Sequence, residues 1–365
     1  MNFHDRPRAL WALPLLVLVA AVIVLGTVLR RPPAATATEM ICLALLGAAI
    51  IFVLMRFGAL AAVRIRLYSA WAGVLPAAAI DQIARKPSLL KLEGETRQVT
   101  YLVCRVRGFT AMAEGFRDDP ATFTRLLARV LTPLIDEALA HRGTVERIGG
   151  EGFSCFWNAP LDDPEHAIHA CEAAGGMLEV IARISETVAQ ERRSNGQPTQ
   201  TIEIGIGIST GPAITGGFRS HGRTTYTAVG ECAVQASRIQ MLSETYGPAV
   251  IVSEDTRKAA ERGFAFLEID YVALGGDTPV KLYALVGNSV VRASPKFRAL
   301  TTFHDHIFQS LRTQQWSRTR ELIAQCRKLS GASQKLYDLQ LDRVARYEAS
   351  PPGADWDGAF RPILK

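Results

Sequence analysis

The part of the chain that most constrains its fold is residues 99–160, where two strand patterns enclose one helical pattern. The apolar runs at 99–110 and 143–160 are rich in β-branched residues, which is typical of strands. Between them, apolar residues recur at three- and four-residue spacing over 123–139, and Asp119 before a proline is a helix start. The pattern predicts a helix that packs one face on a sheet containing both strands.

Two uncharged apolar runs precede this stretch. The first, residues 9–29, has about 21 residues, enough for a helix to cross roughly 30 Å of hydrocarbon. The second, residues 40–63, reaches spanning length if the Arg56 side chain extends to the interface. Arginines are more numerous outside this pair than in its loop, which predicts a membrane hairpin in residues 1–66 with both ends in the cytoplasm. A signal peptide followed by one span is the alternative.

Composition and spacing argue against two other classes of function. The formal net charge is +6, but no lysine and arginine run is interleaved with aromatic residues, so nucleic acid is not an expected partner. Gly205, Gly207 and Gly211 lie in a strand pattern instead of opening a helix, so they do not form a dinucleotide fingerprint. The six cysteines lack C-x-x-C spacing, which indicates reduced core thiols in a cytosolic domain.

The C-terminal region, residues 295–365, carries two helical patterns within 303–347, separated near Ser330. One helical hairpin cannot bury both of its faces, so we expect it to dock on the preceding domain or on a second copy. His304 and His306 flank an aspartate, but no further ligand cluster accompanies them. A solvated helix start is therefore the preferred interpretation of these histidines.

Four segments carry the motifs of a known family: V-T-Y-L-V-C-R-V-R-G-F-T, G-T-V-E-R-I-G-G-E-G-F-S-C-F-W-N-A-P, I-G-I-G-I-S-T-G and Y-T-A-V-G-E-C-A-V-Q-A-S-R. On them, residues 97–287 resemble the class III nucleotidyl cyclases, which convert ATP or GTP into a cyclic nucleotide and pyrophosphate. The resemblance implies an α+β, ferredoxin-like sandwich, expected to have helices on one face of its sheet. It also implies a bacterial inner-membrane protein, with residues 67–96 as a juxtamembrane coupling segment and the C-terminal domain in the cytoplasm.

The resemblance implies two divalent metal ions, Mg²⁺ or Mn²⁺, held by aspartates at two positions that are Arg105 and Glu151 in this chain. Glutamate can bind a metal with a displaced carboxylate, so Glu151 stays a weak candidate ligand. Arginine is always cationic and offers no lone pair. The two side chains are therefore predicted to form an ion pair in place of the metal centre.

The resemblance also implies that a second subunit supplies the remaining site residues across a head-to-tail dimer. Arg147 and Thr227 occupy the two base-recognition positions, the threonine as in a subgroup of bacterial adenylyl cyclases. Arg238 occupies the position of the arginine that binds phosphate in the transition state. Val234 replaces the asparagine that orients the ribose and offers no hydrogen bond.

Three functions remain open from the sequence. The chain is a membrane adenylyl cyclase with weak activity or an unusual metal arrangement, or a pseudocyclase that dimerises or binds nucleotide to regulate a partner. Either form could be a homodimer or pair with another class III cyclase. The third reading is a diguanylate cyclase, because R-I-G-G-E-G-F resembles R-Y-G-G-E-E-F, although Gly152 replaces the second glutamate and the first strand lacks that family's paired aspartates.

Overall fold

The structure is a computed structural model that describes residues 37–199, 201–220, 223–274, 278–330, 334–353 and 355–361. Two compact units make up the chain, Met1–Ala70 and Trp71–Lys365. The predicted first membrane span, residues 9–29, lies outside the described residues.

One long helix, α1 (Ala37–Trp71), covers the predicted second span. Its part Leu46–Trp71 is the single helix among the described residues that is long and apolar enough to cross a membrane. Large apolar side chains on it are exposed, Phe52 at 61% and Phe57 at 68%, whereas a core helix of a soluble domain would bury them. The assignment as a span rests on length and composition.

The second unit begins with a bend at Gly73, which has a φ of 79°, followed by a short helix. Its elements follow in chain order: α2 (Ala77–Arg85), β1 (Glu95–Val106), α3 (Phe109–Glu114), α4 (Pro120–Ala140), β2 (Thr144–Ile148), β3 (Gly152–Trp157), α5 (His166–Ser194), β4 (Ile204–Ser220), β5 (Arg223–Val229), α6 (Glu231–Tyr246), β6 (Val250–Ser253), α7 (Glu254–Ala260), β7 (Phe264–Val272) and β8 (Val280–Asn288). The predicted helix at 123–139 is α4, whose start is capped by Asp119 through a 3.0 Å bond from the Thr122 amide.

The sheet has the strand order β2-β3-β1-β4-β6-β8-β7, with β5 paired to β4. Its first four strands are antiparallel neighbours, and α4 connects β1 to β2 while α5 connects β3 to β4. This β-α-β-β-α-β arrangement is the predicted ferredoxin-like fold. Strand β6 extends the sheet by pairing parallel to β4.

Helices cover both faces of the sheet, so the expectation of helices on one face is wrong. Neighbouring residues of β6 point to opposite sides. Val250 and Val252 pack in a core with α4 and α5, whereas Ile251 packs in a second core with α6 and the C-terminal helices. A strand buried on both faces is a continuous apolar run, which does not by itself show how many layers surround it.

Two glycines of β4 let helix α6 approach the sheet closely. A Cβ atom on Gly207 would lie 2.3 Å from both the Ala236 carbonyl oxygen and the Gln240 amide nitrogen of α6. A Cβ on Gly205 would lie 2.1 Å from the Ser243 hydroxyl oxygen. The glycines of this strand therefore set the distance between the sheet and the helix that carries Val234 and Arg238.

We expect Gly207→Ala to destabilise the domain by about 1–3 kcal/mol, because the new methyl group meets helix backbone that cannot rotate away. The measurement is the free energy of unfolding in urea. Gly211→Ala is the matched control, since a Cβ there meets only the Cys232 side chain at 3.3 Å. Equal effects of the two substitutions would contradict the close-packing explanation.

The C-terminal region has three long helices where the sequence predicted two: after α8 (Ser289–Ala293) come α9 (Pro295–Arg312), α10 (Trp316–Ser330) and α11 (Gln334–Ala349). The break between α9 and α10 was missed because it contains neither glycine nor proline. Gln314 adopts a φ of 57°, a left-handed conformation that usually marks glycine at a helix end.

These helices dock on strand β7 of the same chain. The Gln340 amide donates to the Ile269 carbonyl at 3.1 Å, and Arg343 forms a buried ion pair with Asp270. His304 is buried within α9 and lies 2.7 Å from the Glu268 carbonyl oxygen, so the interpretation as a solvated helix start is wrong. Burial lowers the pKa of its imidazole to about 4, which keeps the ring neutral.

Candidate functional site

The predicted ion pair between Arg105 and Glu151 is present. Arg105 lies on β1 opposite Gly152 of β3, and the residue before that glycine supplies the carboxylate. The Arg105 Nη1 atom is 3.1 Å from Glu151 Oε1, and the side chains are 33% and 50% exposed. The two positions where the family places metal-binding aspartates are thus occupied by opposite charges that contact each other.

The turn that carries Glu151 is held tightly against β1. The Glu151 carbonyl accepts a 2.8 Å hydrogen bond from the Val106 amide, and the Gly149 amide donates to Gly152 at 2.7 Å. A Cβ atom on Gly152 would lie 2.0 Å from the Cys104 carbonyl oxygen. A second glutamate of the diguanylate cyclase signature has no room at this position.

An open cleft of about 280 Å³ surrounds the ion pair. Its charged lining consists of Arg105, Arg147 and Glu151, which carry a formal charge of +1 together. Among the described residues, no group of three potential ligands from histidine, cysteine, aspartate and glutamate lies close enough to hold a metal ion. The cleft offers a single carboxylate, that of Glu151, beside two guanidinium groups, so its donor set does not fit two divalent metals.

The two predicted base-recognition residues are connected through a glutamate that the sequence did not single out. Arg147 is exposed on β2 and lines the cleft, and Thr227 is half-buried on β5. Glu146 is the extra residue of a β-bulge between Val145 and Arg147. Its Oε1 atom accepts a hydrogen bond from the Thr227 hydroxyl. The bulge therefore directs Glu146 toward Thr227 while its neighbour faces the cleft.

Tyr101 is a second residue that sequence reasoning missed. It is buried on β1 and donates its hydroxyl proton to Glu146 Oε2. Burial, followed by the charge of Glu146, raises the pKa of the phenol. The signal was available, because Tyr101, Val103 and Arg105 alternate along β1 and share one face of the sheet. Glu146 gave no such signal, since a bulge interrupts the alternation of its strand.

Val234 and Arg238 lie one turn apart on α6, and neither lines the cleft. Val234 is 45% exposed. The Arg238 guanidinium donates to the carbonyl oxygen of Leu274, just beyond β7. Within one chain, the structure brings Arg105, Arg147 and Glu151 together and leaves these two residues on a separate element.

The ribbon formed by β4 and β5 exposes large apolar side chains. Ile214 and Val229 face each other in the ladder and are 59% and 64% exposed, and Phe218 is 64% exposed. Exposed apolar patches of this kind are typical of protein interaction surfaces. Val234 follows this ribbon directly in the sequence, at the start of α6.

The first residues of the second unit, from Trp71 to Val74, contact the strands that carry the base-recognition residues. The Trp71 ring meets Tyr226 edge-on at 6.5 Å, and Tyr226 stacks on Phe156 at 6.1 Å. The Val74 carbonyl accepts a 2.8 Å hydrogen bond from the Val145 amide at the start of β2. Trp71 is thereby packed one residue away from Thr227, and Val74 one residue away from Glu146.

Comparison with known proteins places this geometry in a family. Residues 93–287 match the adenylate and guanylate cyclase catalytic domain. Adenylate cyclase 1 from Rhizobium meliloti (strain 1021) is 30% identical over 198 residues, which are 54% of this chain and 28% of that protein. The chain therefore spans less than a third of the length of that relative.

Two solved structures cover the same part of the chain. The guanylyl cyclase Cya2 is 27% identical with a TM-score of 0.48, and the match covers 54% of this chain and 95% of that one. The adenylyl cyclase CyaB from P. aeruginosa is 25% identical with a TM-score of 0.48, over 53% of this chain and 96% of that one. Since the family match covers just over half of its residues, this chain belongs to the class III adenylate and guanylate cyclase catalytic domain family.

Proposed function

We propose that this chain is a membrane-anchored pseudocyclase, a dimerising and nucleotide-binding regulatory module with little or no cyclic nucleotide synthesis. The observation that carries the proposal is the Arg105–Glu151 ion pair at 3.1 Å. It fills both positions at which the family holds its metal ions. Positive charge already stands where Mg²⁺ or Mn²⁺ would neutralise a triphosphate, so a metal would have to displace the guanidinium and compete for one carboxylate.

The pair has a chemical consequence that is larger than its effect on stability. Its side chains are 33% and 50% exposed, and ion pairs exposed to this degree stabilise a fold by under about 1 kcal/mol. Stability alone therefore gives little reason for an arginine at this position. A fixed guanidinium in an open cleft can instead bind phosphate oxygens directly, without a metal.

Nucleotide binding is supported by the residues that keep the family's chemistry. Arg147 and Thr227 offer a donor and a hydroxyl to a base, and Arg238 offers a guanidinium to phosphate. The resemblance assigns Arg147, Thr227 and Arg238 to the subunit opposite the one that supplies positions 105 and 151, so a complete site needs a second subunit. The exposed side chains of Ile214, Phe218 and Val229 support such a dimer, with a second copy or with another class III cyclase.

The location proposed for the module is the bacterial inner membrane. Residues 9–29 and α1 would form a hairpin, with the cyclase-like domain in the cytoplasm, as the arginine distribution favours. Residues 67–96 would couple the anchor to the site. The contacts from Trp71 to Tyr226 and from Val74 to Val145 support this role.

A weak adenylyl cyclase is the second candidate function. The presence of Thr227 and Arg238 at the positions where the family contacts the base and the phosphate favours it. A dimer with an intact cyclase could also assemble one complete site. This chain would then supply Arg147, Thr227 and Arg238, and the other subunit would supply both aspartates.

The experiment that separates the candidates uses the full chain, purified in detergent and incubated with ATP or GTP and either Mg²⁺ or Mn²⁺. We expect no cyclic product above a protein-free control, and we expect light scattering to report a dimer. A known class III adenylyl cyclase assayed in parallel controls for the conditions. Metal-dependent turnover near the usual enzymatic rate of about 1 s⁻¹ or more would support the adenylyl cyclase instead. A strict monomer that also fails to bind another class III cyclase would contradict dimerisation.

A further inference from the structure

The carboxylate of Glu146 has four hydrogen-bond donors around it. Oε2 accepts from the Tyr101 hydroxyl and, at 3.5 Å, from the Ser154 hydroxyl. Oε1 accepts from the Thr227 hydroxyl and, at 3.3 Å, from the Ala228 amide. Four donors match the four lone pairs that one carboxylate offers, so each hydrogen-bonding position around Glu146 faces a donor.

An ionised carboxylate only accepts hydrogen bonds, which decides the direction of each bond around it. The Thr227 hydroxyl has a single proton, and that proton is directed to Glu146. The Thr227 oxygen can then offer only a lone pair to a ligand. Arg147, the neighbouring residue on β2, is donor-only by its chemistry.

The resemblance assigns Arg147 and Thr227 to the same base, and together this donor and this acceptor match one purine. Adenine presents an amino group beside the unprotonated N1, a donor next to an acceptor. Guanine presents a carbonyl oxygen beside a protonated N1, which is the reverse order. In one orientation of the base, Thr227 accepts a hydrogen bond from the adenine amino group while Arg147 donates one to N1. Guanine in the same orientation would place its carbonyl oxygen against the Thr227 oxygen.

We propose that Glu146 is a positioning residue that selects the base by taking the only hydroxyl proton of Thr227 and so turning Thr227 into an obligate acceptor for an adenine amino group. Glu146 itself does not touch the base. The inference rests on the proposed function, since it requires that the chain bind a nucleotide at this site.

The test is binding of ATP and of GTP, without metal, to the full chain in detergent, followed by titration calorimetry. We expect ATP to bind at least about tenfold more tightly than GTP, the ratio that one mismatched hydrogen bond produces. Glu146→Gln should reduce this ratio to about one, because the amide can donate to Thr227 and free its proton to face the base. Glu146→Asp, which remains acceptor-only, should retain the preference for ATP.

Two further variants separate base selection from a structural role. Thr227→Val should abolish the preference, and adding Glu146→Gln to it should change nothing further, because the proton that Glu146 controls is gone. Tyr101→Phe removes a donor from the other carboxylate oxygen and should leave the ratio unchanged. If Glu146→Gln unfolds the chain, Glu146→Ala, which removes the acceptor and so frees the Thr227 proton, should likewise reduce the ratio to about one.

The outcomes distinguish this inference from the proposed function. Binding of both nucleotides with a ratio that Glu146→Gln does not alter, or a preference that survives Thr227→Val, overturns the inference and leaves the proposed function standing. Tighter binding of GTP than of ATP by the unmodified chain also overturns it. Failure of both nucleotides to bind overturns nucleotide binding as a function, and the inference with it.

Discussion

Asp270→Ala is expected to destabilise the cyclase-like domain by about 3–5 kcal/mol, the usual effect of removing one partner from a buried ion pair. The side chains of Arg343 and Asp270 are only 3% and 4% exposed. Without the carboxylate, the guanidinium stays buried between the rings of Phe360, 3.5 Å away, and Tyr246, 5.3 Å away. Neither ring can neutralise the charge, although both contact it favourably.

The measurement is the free energy of unfolding in urea, with a control on the same helices. Arg320 and Glu348 pair α10 with α11, but their side chains are 41% and 45% exposed. Glu348→Ala should therefore have little effect on the free energy of unfolding. The double variant Asp270→Ala/Arg343→Met should be more stable than Asp270→Ala alone, because no unpaired charge remains. Similar losses for Asp270→Ala and Glu348→Ala would disprove the buried pair.

This pair also fixes the helix that carries Arg238. Arg343 donates at 2.9 Å to the hydroxyl of Tyr246, the last residue of α6, and that hydroxyl donates to Asp270. Burial and then the charge of Asp270 raise the pKa of the Tyr246 phenol, so it stays protonated as a donor. The C-terminal helices therefore hold one end of α6, and the glycines of β4 set its distance from the sheet.

The sequence was sufficient for the central fold because its periodicities were unambiguous. Helix α4 buries one regular set of side chains, and Asp119 caps it where the sequence placed its start. Strand β1 is a continuous buried run from Val99 to Cys104. The C-terminal helices were harder to predict, because their breaks depend on single residues such as Gln314. Nothing in the local composition indicates that Gln314 adopts a left-handed φ. Packing on both faces depends on helices far away in sequence, which strand patterns do not reveal.

The candidate site, like the fold, was predictable from the sequence only in part. Spacing within recognised motifs was enough to place Arg105 beside Glu151, because adjacent strands fix that distance. Glu146 was missed because a bulge reverses the side to which it points, and bulges leave no mark in an apolar pattern. The connection between Glu146 and Thr227 joins residues about 80 positions apart, so only the folded structure discloses it.

The proposed replacement of the metal centre by the Arg105–Glu151 pair predicts that a metal site can be rebuilt with few changes. Arg105→Asp with Glu151→Asp places two carboxylates where the ion pair now meets, and their repulsion favours a divalent cation between them. We expect this double variant to bind Mn²⁺, measured by calorimetry, whereas the unmodified chain should not. Val234→Asn adds the missing amide at a position that is 45% exposed, so its cost in stability is small.

The triple variant Arg105→Asp/Glu151→Asp/Val234→Asn is therefore expected to form cyclic AMP from ATP with Mn²⁺ at least about 100-fold faster than the unmodified chain, since charge neutralisation by metals contributes several kcal/mol. Arg105→Asp alone should remain inactive, because Val234 still offers no hydrogen bond to a ribose. Adding Arg238→Ala to the triple variant should remove the gain if Arg238 binds phosphate. A folded triple variant that binds Mn²⁺ but forms no product would mean that the missing ligands are not what silences this site, and metal-dependent synthesis by the unmodified chain would refute the ion pair as a replacement.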